Sequence, residues 1–318
     1  MTASAPVQYG VVFPTTEIGT DPAAVAVFAT AVEELGYDYL LTYDHVVGAH
    51  RPLEGERLAG PYGHDDQFHE PLVLFGFLAG RTRRLGLATG VLVLPQRQTA
   101  LVAKQAAEVD LLSGGRLRLG VGLGWNPVEY DCLGVPFDRR GARLEEQVGL
   151  LRRLWTDELV DAVGAFHRFD RVAVCPRPWR TIPVWLAVTG PRSAGRCGRL
   201  GDGGVFPAAD DGMCALVSTM RDAARSAGRN GDDVGAECLL DADLGPERCL
   251  ERVDRWRAAG GTHVCVRTVV ARSAPRPGSR PRTVDEHIAA LAAWVAVREE
   301  AGREEAGREG AGREGAGR

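Results

Sequence analysis

The feature that most constrains the fold is an alternation of short apolar segments with longer amphipathic ones along most of the chain. The short segments have the length and composition of buried strands, and the longer ones carry apolar residues at helical spacing. This order is typical of a parallel sheet covered by helices, because parallel strands need a long return connection. The predicted strands cover residues 9–13, 39–43, 85–94, 117–121, 184–188, 204–206, 236–240 and 263–266.

Eight predicted strands favour a closed (β/α)8 barrel, the TIM-barrel fold, over an open doubly wound sheet, which usually has fewer. The chain has 318 residues, of which 45% are hydrophobic, and can bury one core of that size. We expect a single barrel domain over residues 1–297, in which residues 166–180 are irregular, residues 271–282 form a connector and residues 283–297 form a last helix. Residues 298–318 repeat Arg, Glu, Ala and Gly without an apolar face, so this tail is expected to be disordered or to extend the last helix with fraying.

Composition excludes several classes of partner. The formal net charge of −4 argues against nucleic acid or an anionic membrane as the main partner. The sequence has no apolar run long enough to span a bilayer and no basic-then-apolar signal at its start, so we expect a cytoplasmic protein that acts on a small-molecule substrate. The seven cysteines form no Cys-x-x-Cys pair, so neither a disulfide framework nor a structural zinc site is expected.

Residues 113–125 carry the most specific pattern in the chain. Two glycines end a helix, a short strand follows, and the strand ends in Gly122, Leu123, Gly124 and Trp125. In a parallel barrel, ligands bind at the carboxyl ends of the strands, and glycine lets a flat group approach the backbone. Gly122 and Gly124 are therefore candidate binding residues, and Trp125 either stacks on a ligand ring or covers the barrel mouth.

Asp44 and His45 follow the second predicted strand and are candidates for acid–base chemistry. Histidine is the side chain best suited to exchange a proton near neutral pH. In the alternative, Asp44 caps the turn and His45 packs over it, and position alone does not separate the two. His50, His64 and His69 lie in the same loop at spacings that match no metal-ligand pattern, so no metal site is expected.

A candidate anion site follows the fifth predicted strand. The strand runs into Thr189, Gly190 and Pro191, where a helix begins and free N–H groups lie at its positive end. Arg192 and Arg196 add guanidinium groups whose forked donors suit phosphate. The alternative is an ordinary proline at a helix start with arginines on the surface.

Residues 113–125, followed by Glu129-Tyr130, the run 133–137 and Arg143, resemble the luciferase-like oxidoreductases that depend on flavin or deazaflavin. The resemblance implies a (β/α)8 barrel that forms a homodimer and binds the deazaflavin coenzyme F420, which carries the hydride. It extends from about residue 7 to about residue 270 and is closest over residues 85–155 and 182–206.

The resemblance also implies roles for residues around the cofactor ring. Relatives have an Asp-His pair that corresponds to Asp44 and His45, with the histidine near the reactive carbon of the ring. They have a backbone bulge behind the central ring, often with a non-proline cis peptide, and this corresponds to Gly90 and Val91. Thr89 would then hydrogen-bond the ring edge.

At the other end of the cofactor, the resemblance assigns the phosphate to Gly190, Arg192 and Arg196. Related sugar-phosphate dehydrogenases have a glutamate as proton donor near the position of Trp125. Here the glutamate is replaced by Trp125, and Glu129 follows one helical turn later, where we expect it to orient the loop. This departure argues against that sugar-phosphate activity.

Together these features predict an oxidoreductase that transfers a hydride between F420 and an unidentified small organic substrate. One alternative keeps the fold and replaces the cofactor: a monooxygenase that uses FMNH2 and O2, with FMN bound in the same place. A second alternative is a barrel that binds a flavin without catalysis. Sequence separates F420 from FMN poorly, because both ring systems occupy the same site.

Overall fold

The structure, a computed structural model, describes residues 6–50, 62–269 and 280–315, and side chains of the last helix as far as residue 303. Its strands are short, as expected for a barrel of parallel strands. In chain order they are β1 (Gln8–Val12), β2 (Tyr39–Thr42), β3 (Gly86–Thr89), β4 (Leu92–Val93), β5 (Leu117–Gly122), β6 (Val160–Val163), β7 (Arg168–Val172), β8 (Val184–Ala187), β9 (Gly203–Phe206), β10 (Gly235–Asp241) and β11 (His263–Arg267).

The parallel strands form a closed barrel. Their order is β3-β2-β1-β11-β10-β9-β8-β5, and β5 pairs back with both β3 and β4. Since β3 and β4 are two parts of one barrel strand, the described residues form eight barrel strands. The predicted (β/α)8 fold is confirmed, and the carboxyl ends of all these strands lie on one rim.

The third barrel strand, predicted over residues 85–94, contains a bulge between β3 and β4. Ala88 pairs with Arg118 and Leu92 pairs with Val121, so four residue steps on one strand face three on the other. The extra residue is accommodated at Gly90–Val91, whose peptide bond is cis. The bulge that the resemblance implies at Gly90 and Val91 is therefore present, and it divides the strand predicted over residues 85–94 into β3 and β4.

Helices cover the outside of the barrel, and within the described ranges none has the length and apolar content that crossing a bilayer requires. The last helix continues into the repeat of the tail as far as residue 315. In chain order the helices are α1 (Pro22–Glu34), α2 (Pro71–Ala79), α3 (Thr99–Leu112), α4 (Pro127–Cys132), α5 (Arg140–Thr156), α6 (Pro191–Leu200), α7 (Asp211–Ser226), α8 (Pro246–Ala258) and α9 (Val284–Gly315).

Strands β6 and β7 form an antiparallel hairpin outside the barrel, and β7 lies in the segment that the sequence analysis predicts to be irregular. Both faces of the hairpin are largely polar or exposed, so the alternation that marks a half-buried strand is missing. Its turn depends on a side chain from α5. The Glu146 carboxylate accepts hydrogen bonds from the N–H groups of Ala165 and Phe166 and contacts Nδ1 of His167 at 2.7 Å.

The barrel interior is filled near the amino ends of the strands by a charged and aromatic layer. The guanidinium of Arg118 lies between the rings of Tyr39 and Trp185, 4.2 and 4.3 Å from their centroids. It donates to the fully buried carboxylate of Glu237 at 2.8 Å. The ring of His263 packs edge-on against Trp185. This layer fills the barrel interior at the amino ends of the strands.

We expect Arg118→Ala to lower the free energy of unfolding by about 3–5 kcal/mol, because it would leave a buried carboxylate without its counter-charge. The matched control is Arg225→Ala, since Arg225 pairs with Asp222 and Asp232 on the exposed surface. Loss of such a pair costs no more than about 1 kcal/mol. Urea unfolding followed by circular dichroism measures both changes. Equal losses for the two variants would contradict a stabilising role of the interior pair.

Burial, together with the nearby Arg118 guanidinium, lowers the pKa of His263 from its ordinary 6.5 to about 3. Between these two values the unfolded chain binds a proton that the folded chain does not, so stability falls as the pH falls. The slope from this group is at most about 1.4 kcal/mol per pH unit. His263→Gln removes this titration, so its stability should decrease less between about pH 6 and pH 4. Urea midpoints across that range test this, and parallel pH curves for the two proteins would reject it.

Candidate active site

A cavity of about 460 Å³ opens at the carboxyl ends of the barrel strands. Cavities of this order hold small-molecule ligands. A second cavity of about 700 Å³ shares part of its wall and lies beside the start of α6. We call these the inner and the outer cavity. The predicted site residues that line the inner cavity are Asp44, His45, Gly90, Val91, Gly122, Gly124, Trp125, Thr189 and Arg196, and Gly190, Pro191 and Arg192 line the outer one.

Thr89 lies in neither wall. Its side chain is buried, and its hydroxyl donates a hydrogen bond of 2.6 Å to the carbonyl oxygen of Gly120. The predicted hydrogen bond from Thr89 to the edge of a ring is therefore not supported. The hydroxyl instead ties the bulged strand to β5.

The glycines at the end of β5 pack against the bulge. A Cβ atom at Gly122 would overlap the side chain of Val91, and one at Gly124 would lie 2.6 Å from Cγ1 of Val93. Gly124 also has a φ of +65°, which favours glycine. The sequence analysis assigns these glycines to the approach of a ligand. In the structure the space beside each glycine is taken by one of the two valines, and the glycines and the valines together line the inner cavity.

Asp44 is held by groups other than a ligand. Its buried carboxylate pairs with Arg97 at 2.7 Å and accepts the N–H of Val93 at 2.8 Å. Arg97 also pairs with Glu70, which caps the start of α2. This arrangement ties the end of β2 to β4 and α2, and it favours the turn-stabilising alternative for Asp44. Arg97 is not among the predicted site residues, because no local sequence pattern relates it to Asp44, which is distant in the chain.

His45 is positioned by Glu129, which lies on α4. Nδ1 of the imidazole is 3.3 Å from one carboxylate oxygen, and the other oxygen accepts the N–H of Val46 at 2.5 Å. Burial alone would raise the pKa of Glu129, but the hydrogen bonds from His45 and from the N–H groups of Val46 and Val47 hold it below its ordinary value. Glu129 is therefore ionised near neutral pH, and its expected part in orienting the loop is visible as these contacts.

Aromatic rings surround the imidazole of His45, whose side chain is 11% exposed. The ring centroids of Tyr62, Phe68 and Trp125 lie 5.4, 4.7 and 5.6 Å from that of His45. Such a setting restricts water around the one ring nitrogen, Nε2, that Glu129 does not contact. Trp125 thus lines the cavity and also packs against His45.

At the start of α6, the hydroxyl of Ser193 changes the predicted anion site. It accepts hydrogen bonds from the N–H groups of Thr189 and Gly190, at 2.9 and 3.1 Å. The sequence predicts that these N–H groups are free, but in the structure both are hydrogen-bonded. The N–H groups of Arg192 and Ser193, in the first turn of α6, have no acceptor within the described part of the chain.

Known proteins share this architecture, and some are similar in sequence over most of the chain. The sequence model described as luciferase-like monooxygenase matches residues 7–259. The chain belongs to this family.

Two proteins that are similar to this chain in sequence are dehydrogenases. An F420-dependent glucose-6-phosphate dehydrogenase of Mycolicibacterium gilvum is 32% identical over 247 residues, which are 74% of this chain and 69% of that protein. An F420-dependent hydroxymycolic acid dehydrogenase of Mycobacterium tuberculosis is 29% identical over 259 residues, covering 79% and 67%. Among solved structures, coenzyme F420-dependent tetrahydromethanopterin reductase from Methanopyrus kandleri has a TM-score of 0.70 at 15% identity and covers 93% of this chain and 98% of its own. At that identity the likeness shows the fold alone.

In this member of the luciferase-like family, two further polar residues, Tyr43 and Arg267, line the inner cavity. Arg267, at the end of β11, lines the cavity together with Tyr43 and is fixed by two hydrogen bonds to Asp241, at 2.6 and 2.9 Å. Neither Tyr43 nor Arg267 is among the predicted site residues, although each lies at or just past a strand end. No three His, Cys, Asp or Glu side chains within residues 6–50, 62–269 and 280–303 are grouped as metal ligands.

Proposed function

We propose that this protein is an oxidoreductase that transfers a hydride between coenzyme F420 and a small alcohol or its carbonyl product. The observation that carries the proposal is the pair of joined cavities: the inner one is mainly apolar and contains His45, and the outer one is lined by arginines. A deazaflavin coenzyme has a flat ring system at one end and a phosphodiester side chain at the other. The residues present therefore fit both ends of this group.

The inner cavity would hold the ring. Gly90 and Val91 of the bulge would lie behind it, with Gly122 and Gly124 beside them in the wall. At the outer end, the N–H groups of Arg192 and Ser193 and the guanidinium of Arg196 would bind the phosphodiester. When bound, F420 supplies the carbon that accepts or gives the hydride.

His45 would move the proton. Because the Glu129 carboxylate accepts from Nδ1, the neutral imidazole presents Nε2 as the atom that gains or loses a proton. The rings of Phe68 and Trp125 limit the access of water to this nitrogen. In alcohol oxidation, Nε2 would take the proton of the hydroxyl group while the carbon that bears this group gives its hydride to F420. In the reverse direction, Nε2 would return the proton to the carbonyl oxygen.

Two dehydrogenase relatives support this reaction class, and their different named substrates leave the substrate open. Trp125 occupies the position at which sugar-phosphate enzymes of the resemblance have a glutamate, so glucose 6-phosphate is not assigned here. FMNH2-dependent oxygenation and binding without catalysis are the outcomes against which the proposal is tested. The homodimer and the cytoplasmic location stay predictions.

Titration of the purified protein with F420 and with FMN tests the choice of cofactor. We expect F420 to bind at micromolar or lower concentration and FMN to bind at least about tenfold more weakly, a difference of about 1.4 kcal/mol. Ala187→Phe, which fills the inner cavity, should abolish binding, whereas Ala227→Phe on the exposed end of α7 should not. Tighter binding of FMN would favour the monooxygenase, and binding of neither would reject both enzymes.

The role of His45 is tested by turnover with the best substrate from a panel of alcohols, followed as loss of the visible absorbance of oxidised F420. His45→Ala should reduce turnover by about 10²–10⁴-fold, which is the range for loss of an acid–base group. The affinity for F420 should stay the same, because the ring nitrogen acts on the substrate. His64→Ala, an exposed histidine of the same loop, is the control. Unchanged turnover of His45→Ala with F420 bound would exclude proton transfer by this residue.

A further inference from the structure

The outer cavity has more positive charge than one phosphodiester requires. Four arginines line it, and its lining includes no carboxylate. We call Arg139, Arg140, Arg192 and Arg196 the arginine cluster. Within the described residues, Arg196 alone of the four has an ion-pair partner, Glu145 at 2.9 Å. The other three guanidinium groups keep their full charge at one place on the surface.

Two members of the cluster, Arg139 and Arg140, lie where α5 begins. They are distant in sequence from Arg192 and Arg196, which lie on α6. The structure brings the starts of α5 and α6 together, since a Cβ atom at Gly141 would lie 2.7 Å from Nη2 of Arg196. The turn before α5 and the start of α6 therefore both line one cavity.

Aromatic rings, rather than carboxylates, hold these two guanidinium groups. Arg140 lies 3.8 Å from the centroid of the Phe137 ring and donates to the carbonyl oxygen of the same residue at 3.3 Å. Its Nε is buried and has no hydrogen-bond partner in the described structure. Arg139 lies 4.9 Å from the ring centroid of Phe166. Stacking positions both groups and leaves their charge uncompensated.

Backbone strain at Arg139 also indicates a function for the turn before α5. Its φ of +58° is in the left-handed region, which costs energy for a residue with a Cβ atom, and it occupies the position before α5 where a small capping residue is usual. Such strain is retained where the surrounding structure or a ligand makes use of it. Here the conformation belongs to the turn that carries both guanidinium groups into the cavity wall.

We propose that Arg139 and Arg140 form a second anion subsite, which binds the carboxylates that F420 carries on its glutamate side chain beyond the phosphodiester. The proposal rests on the proposed function. Arginine binds a carboxylate through two parallel hydrogen bonds. Arg139 and Arg140 line the same cavity as the N–H groups that would bind the phosphodiester. FMN ends at its phosphate and has no group for this subsite. The charge in the outer cavity would therefore select between cofactors whose rings fit equally well.

The test compares two forms of one cofactor: F420 with its glutamates, and the same molecule without them, the form known as F420-0. Fluorescence titration of the full chain should give at least about tenfold tighter binding of the glutamylated form, which corresponds to about 1.4 kcal/mol. In the double variant Arg139→Ala/Arg140→Ala this difference should disappear, with the affinity for F420-0 unchanged. The preference should also shrink as salt is raised, because the subsite is open to solvent.

The control is Arg248→Ala/Arg252→Ala, which removes the same charge from α8, where neither arginine has an ion-pair partner in the described structure. It should keep the preference for the glutamylated form. Arg139→Lys/Arg140→Lys, which keeps the charge and loses the paired donors, should recover part of it. Circular dichroism and thermal unfolding show that each variant is folded.

The outcomes separate this proposal from the proposed function. Equal affinity of the unaltered protein for both forms would overturn the second subsite and leave an F420 enzyme. Loss of F420-0 binding in the alanine variant would also overturn it, because the two arginines would then act on the phosphodiester or on the fold. Failure of the unaltered protein to bind either form would instead reject the proposed function.

Discussion

Closure of the barrel between β5 and the interrupted third strand is the constraint on which the rest of the structure depends. A closed parallel barrel places the carboxyl ends of all its strands on one rim, so residues far apart in sequence meet there. The bulge at Gly90–Val91 lets the third strand pair with β5 on both sides of the interruption. Without that extra residue, one of the two pairings would be out of register, and Val91 and Val93 would not both reach the cavity.

The position of the cavity follows from how the interior is packed along the barrel axis. Near the amino ends of the strands, Arg118 fills the interior with the rings of Tyr39 and Trp185, and its charge is balanced by Glu237. A buried ion pair adds little net stability compared with apolar packing, but once one partner is present the other is needed. Toward the carboxyl ends this layer gives way to the inner cavity, whose lining includes the small side chain of Ala187.

Features with a local cause could be predicted from the sequence. The eight barrel strands show as apolar segments, and His45 stands out because a titratable residue follows a strand end. Contacts between distant segments leave no such pattern. The pairing of Asp44 with Arg97 and the hairpin turn held by Glu146 each depend on how close two elements come in three dimensions. Arg139 is hidden for the same reason, because it reads as one more surface arginine until α5 is packed beside α6.

The two cavities are formed by different parts of the fold. Barrel strands build the inner cavity, where changes in side-chain volume disturb the packing of the core as well as the ligand. Helix starts and the turn before α5 build the outer cavity, where a charge is added or removed at small cost to stability. In the proposed arrangement, the ring-binding end is therefore shared by flavin and deazaflavin enzymes of the family, and the choice between cofactors depends on the side-chain end. Such a division would let one barrel change its cofactor through loop residues alone, with the strands and the acid–base residue unchanged.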